Sequence, residues 1–331
     1  MDFRIGVVCI VFDFLKKRVF PTGVDLGSGY LKMAQLGFDG HQYFLHAAGR
    51  EEMPADIEPG SAHWQRWVAA TAKEMIGRGG FSGRRVVTAM PADDVFIDQI
   101  SIPKTTDDKI EQAVLATIKS KVPFDPTGAM VKYVVADRRC RNGQMDVLVM
   151  AGEKQTVERQ LAIYEKANLQ ICGMSVWPLA MTNSYVKLFS RRAEDREVVV
   201  MLVDIGANHT SIVVCKHSNL LLARMIPIGF KKLGYDGMTQ RLMDEMNACC
   251  RYFELFSESF QIHRLVLISG RSVDRGICER VAEVAKQMQI PAQIGDVLGA
   301  VQVQPGCRFD IERRGQQIDW ATAFGLSLPE I

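Results

Sequence analysis

One pattern occurs twice in this chain, and it constrains the fold more than any other feature. Val24-Asp25-Leu26-Gly27-Ser28-Gly29-Tyr30-Leu31-Lys32 runs an extended apolar approach into an aspartate, a small-residue turn and a lysine. Val203-Asp204-Ile205-Gly206-Ala207-Asn208-His209-Thr210 repeats the order. After the first turn, Leu31–Leu36 reads as a strand that turns at Phe38-Asp39-Gly40. After the second, Ser211–Cys215 turns at Lys216-His217-Ser218-Asn219 into a further strand, Leu220–Ile228. A unit that recurs near the start and again past the middle predicts two related lobes facing a shared cleft. Glycine in such a turn lets backbone N–H groups approach a ligand with no Cβ in the way. A turn of this kind can cradle phosphates, Lys32 can neutralise them, and Asp25 can hold a hydrated Mg²⁺.

Rival readings of the turns fit less well. A dinucleotide fingerprint wants a third glycine near position 32, where Lys32 stands, and a helix instead of a hairpin. A Walker loop needs Gly-Lys-Ser/Thr, which the chain lacks. Ser28 lies in no Gly-x-Ser-x-Gly elbow.

With 331 residues the chain is long enough for two lobes with real cores. A net charge of +2 gives no general nucleic-acid signal, and the local basic runs at Lys16–Arg18, Arg138–Arg141 and Arg191-Arg192 read as solvated surface. The eight cysteines are scattered with no C-x-x-C pair, which fits reduced thiols and argues against zinc. The adjacent Cys249 and Cys250 are expected to point apart on a helix. The apolar run Gly6–Phe12 is too short to span a bilayer. Asp2 and the lack of a small-residue cleavage site make it a poor signal peptide. Residues 1–18 are therefore an N-terminal lead. Those before Phe12 read as a mis-assigned start in preference to a membrane-surface anchor.

Further along, Gln42–Ala48 reads as a strand, Ser61–Gly77 as a helix and Arg85–Met90 as a strand. Val95–Ile102 alternates as a strand. Thr105–Asp108 caps a helix with Ile110, Val114, Ile118 and Val122 at helical spacing. Val131–Ala136 and Met145–Ala151 are two strands joined by a basic turn at Arg138–Gly143. Then come a helix at Thr156–Asn168, a strand at Leu169–Val176 and a helix at Pro178–Phe189, with proline in its first turn. The second lobe begins with Val198–Ile205. Its long helix, Met238–Phe256, is expected to bury Met238, Leu242, Met246, Cys249 and Phe253. A strand at His263–Ile268 and a helix at Asp274–Gln287 follow.

The two Asp-x-Gly motifs resemble the first and second phosphate motifs of the actin, Hsp70 and sugar-kinase superfamily. The inserted strand–helix–strand–strand unit, with Met90-Pro91, Ile102-Pro103 and Val122-Pro123, resembles the insertion of the PilM and FtsA branch. Ser269-Gly270-Arg271-Ser272 resembles the adenosine turn, and Ile318–Leu326 the closing Ala-x-Gly-Leu helix. From about Phe12 onward the chain resembles the PilM family, actin-like proteins of type IV pilus assembly related to FtsA and to the cytoplasmic part of GspL.

The resemblance implies an α/β, actin-like two-lobed fold with an inserted module. Residues 19–91 and 156–197 would form the first lobe, 92–155 the partner-binding module and 198–331 the second lobe. It implies ATP or ADP with Mg²⁺ as cofactor. The phosphates would lie on Asp25, Gly27, Ser28, Gly29, Tyr30, Lys32, Asp204, Gly206, Ala207, Asn208, Thr210 and Gly229. The adenosine would lie on Ser269, Gly270, Arg271 and Ser272, with Asp25 and Asp204 holding the metal through water. It also implies a cytoplasmic scaffold at the inner face of the cell membrane, receiving the tail of a PilN-like bitopic protein and meeting other pilus or secretion assembly proteins.

Three departures bear on chemistry. Only Phe230–Gly237 separates Gly229 from the long helix, so the fourth subdomain is shortened. The adenosine turn reads Ser-Gly-Arg-Ser. Trp177-Pro178 stands where actin-like hydrolases place a water-orienting polar group, so the chain is at most a weak ATPase. A nucleotide-switched assembly protein, a docking scaffold without nucleotide, and a small-molecule kinase remain as alternatives. The kinase would need a catalytic aspartate near the cleft, and Trp177-Pro178 argues against it.

Overall fold

The computed structural model describes residues 18–141, 143–256, 260–269, 275–304 and 319–330. In chain order the elements are β1 (Arg18–Val19), β2 (Thr22–Leu26), β3 (Tyr30–Phe38), β4 (Tyr43–Glu52), α1 (Ala62–Arg78), β5 (Arg85–Ala89), β6 (Phe96–Pro103) and α2 (Asp107–Ile118). These are followed by β7 (Ala129–Arg141), β8 (Gln144–Glu153), α3 (Lys154–Lys166), β9 (Gln170–Ser175), α4 (Trp177–Leu188), β10 (Val199–Ile205), β11 (Thr210–Lys216) and β12 (Asn219–Ile226). The chain closes with α5 (Met238–Phe256), β13 (Arg264–Leu267), α6 (Arg275–Gln287), β14 (Ala292–Ile294), β15 (Gln302–Val303) and α7 (Ala321–Ser327).

The repeated motif produces a repeated topology. In the first sheet the order is β15-β4-β3-β2-β5-β9, with β1 added beside β3. In the second it is β12-β11-β10-β13-β14. Each aspartate-bearing strand, β2 or β10, sits mid-sheet. On one side it pairs antiparallel with the next strand of its meander, and on the other it pairs parallel with a strand reached by a crossover. Both strands are buried along most of their length, so their apolar runs are core, and the polar motif falls where each strand leaves the sheet.

The module is a third sheet of order β6-β8-β7, antiparallel throughout. Ile110, Val114 and Ile118 of α2 form its core with Ile100, Ile102, Val147 and Val149. The basic turn anticipated at 138–143 is shorter, because β7 continues as strand to Arg141.

The closing helix packs back on the first lobe through two glycines. A Cβ on Gly23 would run into the Ala323 carbonyl, and one on Gly325 into the Ala180 carbonyl. Ser327 Oγ accepts from Leu36 N (2.9 Å) and donates to Pro21 O (2.8 Å).

One expectation needs correction on α5: Met238 is only half-buried. Cys249 and Cys250 are both buried, 1% and 3% exposed, and both are free thiols. The helix lies against both β12 and α6, so its apolar face is wide enough to cover adjacent positions. The lead at residues 1–17 and the start of the closing segment at Ile318 lie outside the described residues. Among those described, no helix is long and apolar enough to cross a membrane.

Candidate functional site

Antiparallel pairing of β2 with β3 sets Asp25 directly opposite Lys32. Their side chains meet at 2.6 Å. Lys32 Nζ also donates to Asp319 O (2.9 Å) and lies 3.3 Å from Asp319 Oδ2, while Asp319 Oδ1 accepts from Ala321 N at the start of α7 (2.7 Å). Asp204, 6% exposed at the end of β10, hydrogen-bonds to Asp319 and Ser269. One buried ammonium thus sits among three carboxylates. Burial alone would lower the Lys32 pKa, but Asp25, Asp319 and Asp204 outweigh it and raise it. Burial and the neighbouring Asp319 charge push the Asp204 carboxyl well above its usual range. A proton between two carboxyl groups in contact relieves their repulsion.

The two turns close alike: Gly27 N donates to Tyr30 O (3.0 Å) and Gly206 N to His209 O (2.9 Å). They also touch each other. Asn208 Nδ2 donates across the cleft to Ser28 O (3.1 Å) and Ser28 Oγ (3.0 Å). A Cβ on Gly29 would stand 2.8 Å from the Ala207 Cβ. Behind the second turn, Phe230 N and Lys231 N donate to Gly206 O and Ala207 O (2.9 and 3.1 Å), and a Cβ on Gly229 would meet Ala207 and Asn208 backbone at 2.5 Å. Lys231 Nζ reaches back to Glu52 (3.6 Å) and lies 5.8 Å from the centre of the Tyr30 ring. The space left between the turns is about 60 Å³, bordered by Asp25, Lys32, Trp177, Asp204, His209 and Asp319. His209 is half-buried there, and burial lowers its pKa.

Not every expected ligand is free. Thr210 is fully buried and donates its hydroxyl to Ile228 O (2.7 Å), so it closes the sheet edge and does not reach the cleft as a phosphate ligand. Ser269 accepts from Ile205 N (2.7 Å) and serves Asp204, on the carboxylate side and not the adenosine side. Gly270, Arg271 and Ser272 lie outside the described residues. Between β12 and α5 there is only a single helical turn at Phe230–Lys232, as the short interval implied. Sequence reasoning missed Asp319. Its signal was an acid one residue ahead of the closing aromatic, Trp320, at a distance of 287 residues from the lysine it pairs with.

A nucleotide with Mg²⁺ is the group this fold implies, and the donor set suits it. Asp204 Oδ1 is buried without a hydrogen-bond partner, as is the indole Nε1 of Trp177. Clustered carboxylates match a hard cation, an N–H matches a phosphate oxygen, and the glycines leave backbone approachable. The turns must part before a whole nucleotide enters a space that holds a few water molecules.

A second concavity, about 610 Å³, opens against α4 and the end of α7. Its walls include Arg18, Arg85 on β5, Gly173 on the edge strand β9, Lys132 on β7 of the module, Asn183 on α4 and Glu330. Asn183 is 5% exposed; its Nδ2 donates to Gly325 O (2.7 Å) and Leu328 O (3.2 Å). Those two carbonyls fix the amide orientation and leave Oδ1 without a partner. No sequence motif announced this groove, since it is assembled from several separate segments.

Comparison with known proteins places these features. The family model for type IV pilus assembly protein PilM matches residues 23–245. No curated protein matches the chain. Among solved structures, a PilM–PilN type IV pilus biogenesis complex is similar at 22% identity, over 94% of this chain and 98% of that one, with a TM-score of 0.74. The ethanolamine utilization protein EutJ from Carboxydothermus hydrogenoformans aligns at 12% identity over 95% and 90%, with a TM-score of 0.49. The cytoplasmic domain of EpsL, an inner-membrane component of the Vibrio cholerae type II secretion system, aligns at 10% identity over 76% and 82%, with a TM-score of 0.44. The fold is the actin-like one.

Proposed function

The chain belongs to the PilM family of type IV pilus assembly proteins, and on that premise we propose that it is an actin-like scaffold at the cytoplasmic face of the inner membrane. It receives the cytoplasmic tail of a PilN-like bitopic protein in the groove between the first lobe (residues 19–91 and 156–197) and the module (residues 92–155). The observation that carries this reading is the groove itself. It is large enough for several side chains, and it joins lobe to module through Lys132. Its wall includes the edge strand β9, whose outer backbone groups an extended peptide can pair with. Asp25 and Asp204 would hold Mg²⁺ through water, and the turns at residues 27–30 and 206–208 with Lys32 would hold the phosphates of ATP or ADP. Bound nucleotide supplies charge that the two lobes share, and so sets the angle between them.

The test is a titration of the purified protein with a peptide of the cytoplasmic tail of a PilN-type protein from the same genome. Gly173 is the position to block. A Cβ there meets only Val87 Cγ1, at 3.9 Å, so Gly173→Leu fills the groove without disturbing the core. Wild type should bind at micromolar affinity, on the order of −8 kcal/mol. Gly173→Leu should lose that binding with its melting temperature unchanged. Equal binding by both would sink the assignment of the groove.

A further inference from the structure

Asn208 and Lys231 do to the two turns what a phosphate and its counter-ion would do. Asn208 Nδ2 holds both the carbonyl and the hydroxyl of Ser28 from the opposite lobe. Lys231 spans the same gap, from the second lobe to Glu52 and the Tyr30 face. Ala207 stands so near Gly29 that any side chain there would meet it. Beneath them Lys32 already neutralises Asp25 and Asp319. Ser28, Asp25 and Lys32 therefore each have a protein partner, and the partners of Ser28 and Glu52 come from the other lobe.

We propose that Asn208 and Lys231 form a latch that holds the cleft shut without nucleotide, so that ligand must compete with the chain's own side chains for the phosphate turns. This rests on the nucleotide reading for the identity of the ligand but not for the closed state. The sign of its main consequence is opposite to that of a simple phosphate ligand. Apparent affinity is the intrinsic affinity scaled by the fraction of molecules that are open. Removing a latch raises that fraction, whereas removing a phosphate contact weakens binding. One hydrogen-bonded bridge of ordinary strength corresponds to about a fivefold change.

The experiment uses Asn208→Ala and Lys231→Ala in the full chain and has two readouts. Without nucleotide, amide hydrogen exchange should quicken together in residues 27–30 and 206–209, while the module stays as in wild type. With Mg²⁺ and a fluorescent ATP analogue, Asn208→Ala should bind about fivefold more tightly than wild type. The double variant should gain less than the sum of the two, because both act on one closing equilibrium. Unchanged exchange overturns the latch. So does quickened exchange with weaker nucleotide binding, which would make Asn208 a phosphate ligand. Quickened exchange with no nucleotide binding by any variant supports the latch and removes the nucleotide reading alone.

Discussion

The cleft and the groove both border α4 and differ in how much room they leave. In the cleft, lysine answers aspartate, asparagine answers serine, only Asp204 Oδ1 and Trp177 Nε1 among the groups named stay unpartnered, and about 60 Å³ remains. In the groove about 610 Å³ remains, and Asn183 Oδ1 has no answer within the chain. A buried polar group that the protein satisfies itself stabilises one conformation. One left unsatisfied is tolerated where a partner supplies the missing bond. What separates the two is space: the groove is open in the shape shown, and the cleft has to be opened first.

The comparison breaks most severely at Lys32. Lys32→Met strands Asp25 and Asp319 without their cation and should cost about 3–5 kcal/mol, read as a fall in melting temperature of about 10 °C. Peptide binding in the groove should persist at temperatures where the variant is folded. If groove binding vanishes while the fold remains, the two sites are not separate. Gly325→Ala should damage both at once, because its Cβ enters the Ala180 carbonyl and displaces the segment shared by the groove and the Asp319 helix. A loss of about 3 kcal/mol is expected, with weaker tail binding in whatever remains folded, measured by thermal denaturation and titration together. A stable variant with full binding would show that α7 does not join the two sites.

The smallest effect sharpens the picture of the cleft alone. The folded pKa of Asp204 is raised, so its contribution to stability is present at low pH and fades as pH rises through that value. Asp204→Asn keeps a donor toward Asp319 without the ionisable proton. It should raise the melting temperature by a few degrees at pH 8, on the order of 1 kcal/mol, with the gain narrowing toward acid. A gain that is constant with pH would mean that Asp204 does not carry the shared proton.

The repeated Asp-x-Gly units made the two-lobed topology legible, because apolar strand, acid and small turn are local features that each lobe repeats. The module was legible for the same reason: Ile110, Val114 and Ile118 keep helical spacing and are its core. What escaped was long-range. The Lys32 and Asp319 pair, the Asn208 bridge to Ser28 and the multi-segment groove join residues far apart in sequence, where no period or spacing records the contact. Thr210 was misread for a related reason. The motif places it beside the turn, but its hydroxyl is taken up by Ile228 across the sheet.

The closing helix carries a consequence for biosynthesis. Strand β2 needs α7 against Gly23, Lys32 needs Asp319, and the groove needs Gly325 to Glu330, so the first-made lobe stays unfinished until α7 has been made. At about 5–20 residues per second, the separation of Lys32 from Asp319 keeps that lobe waiting on the ribosome for roughly 15–60 s. A chain that stops before α7 has neither Asp319 against Lys32 nor a complete groove wall. On the proposed function, such a chain would not bind the tail.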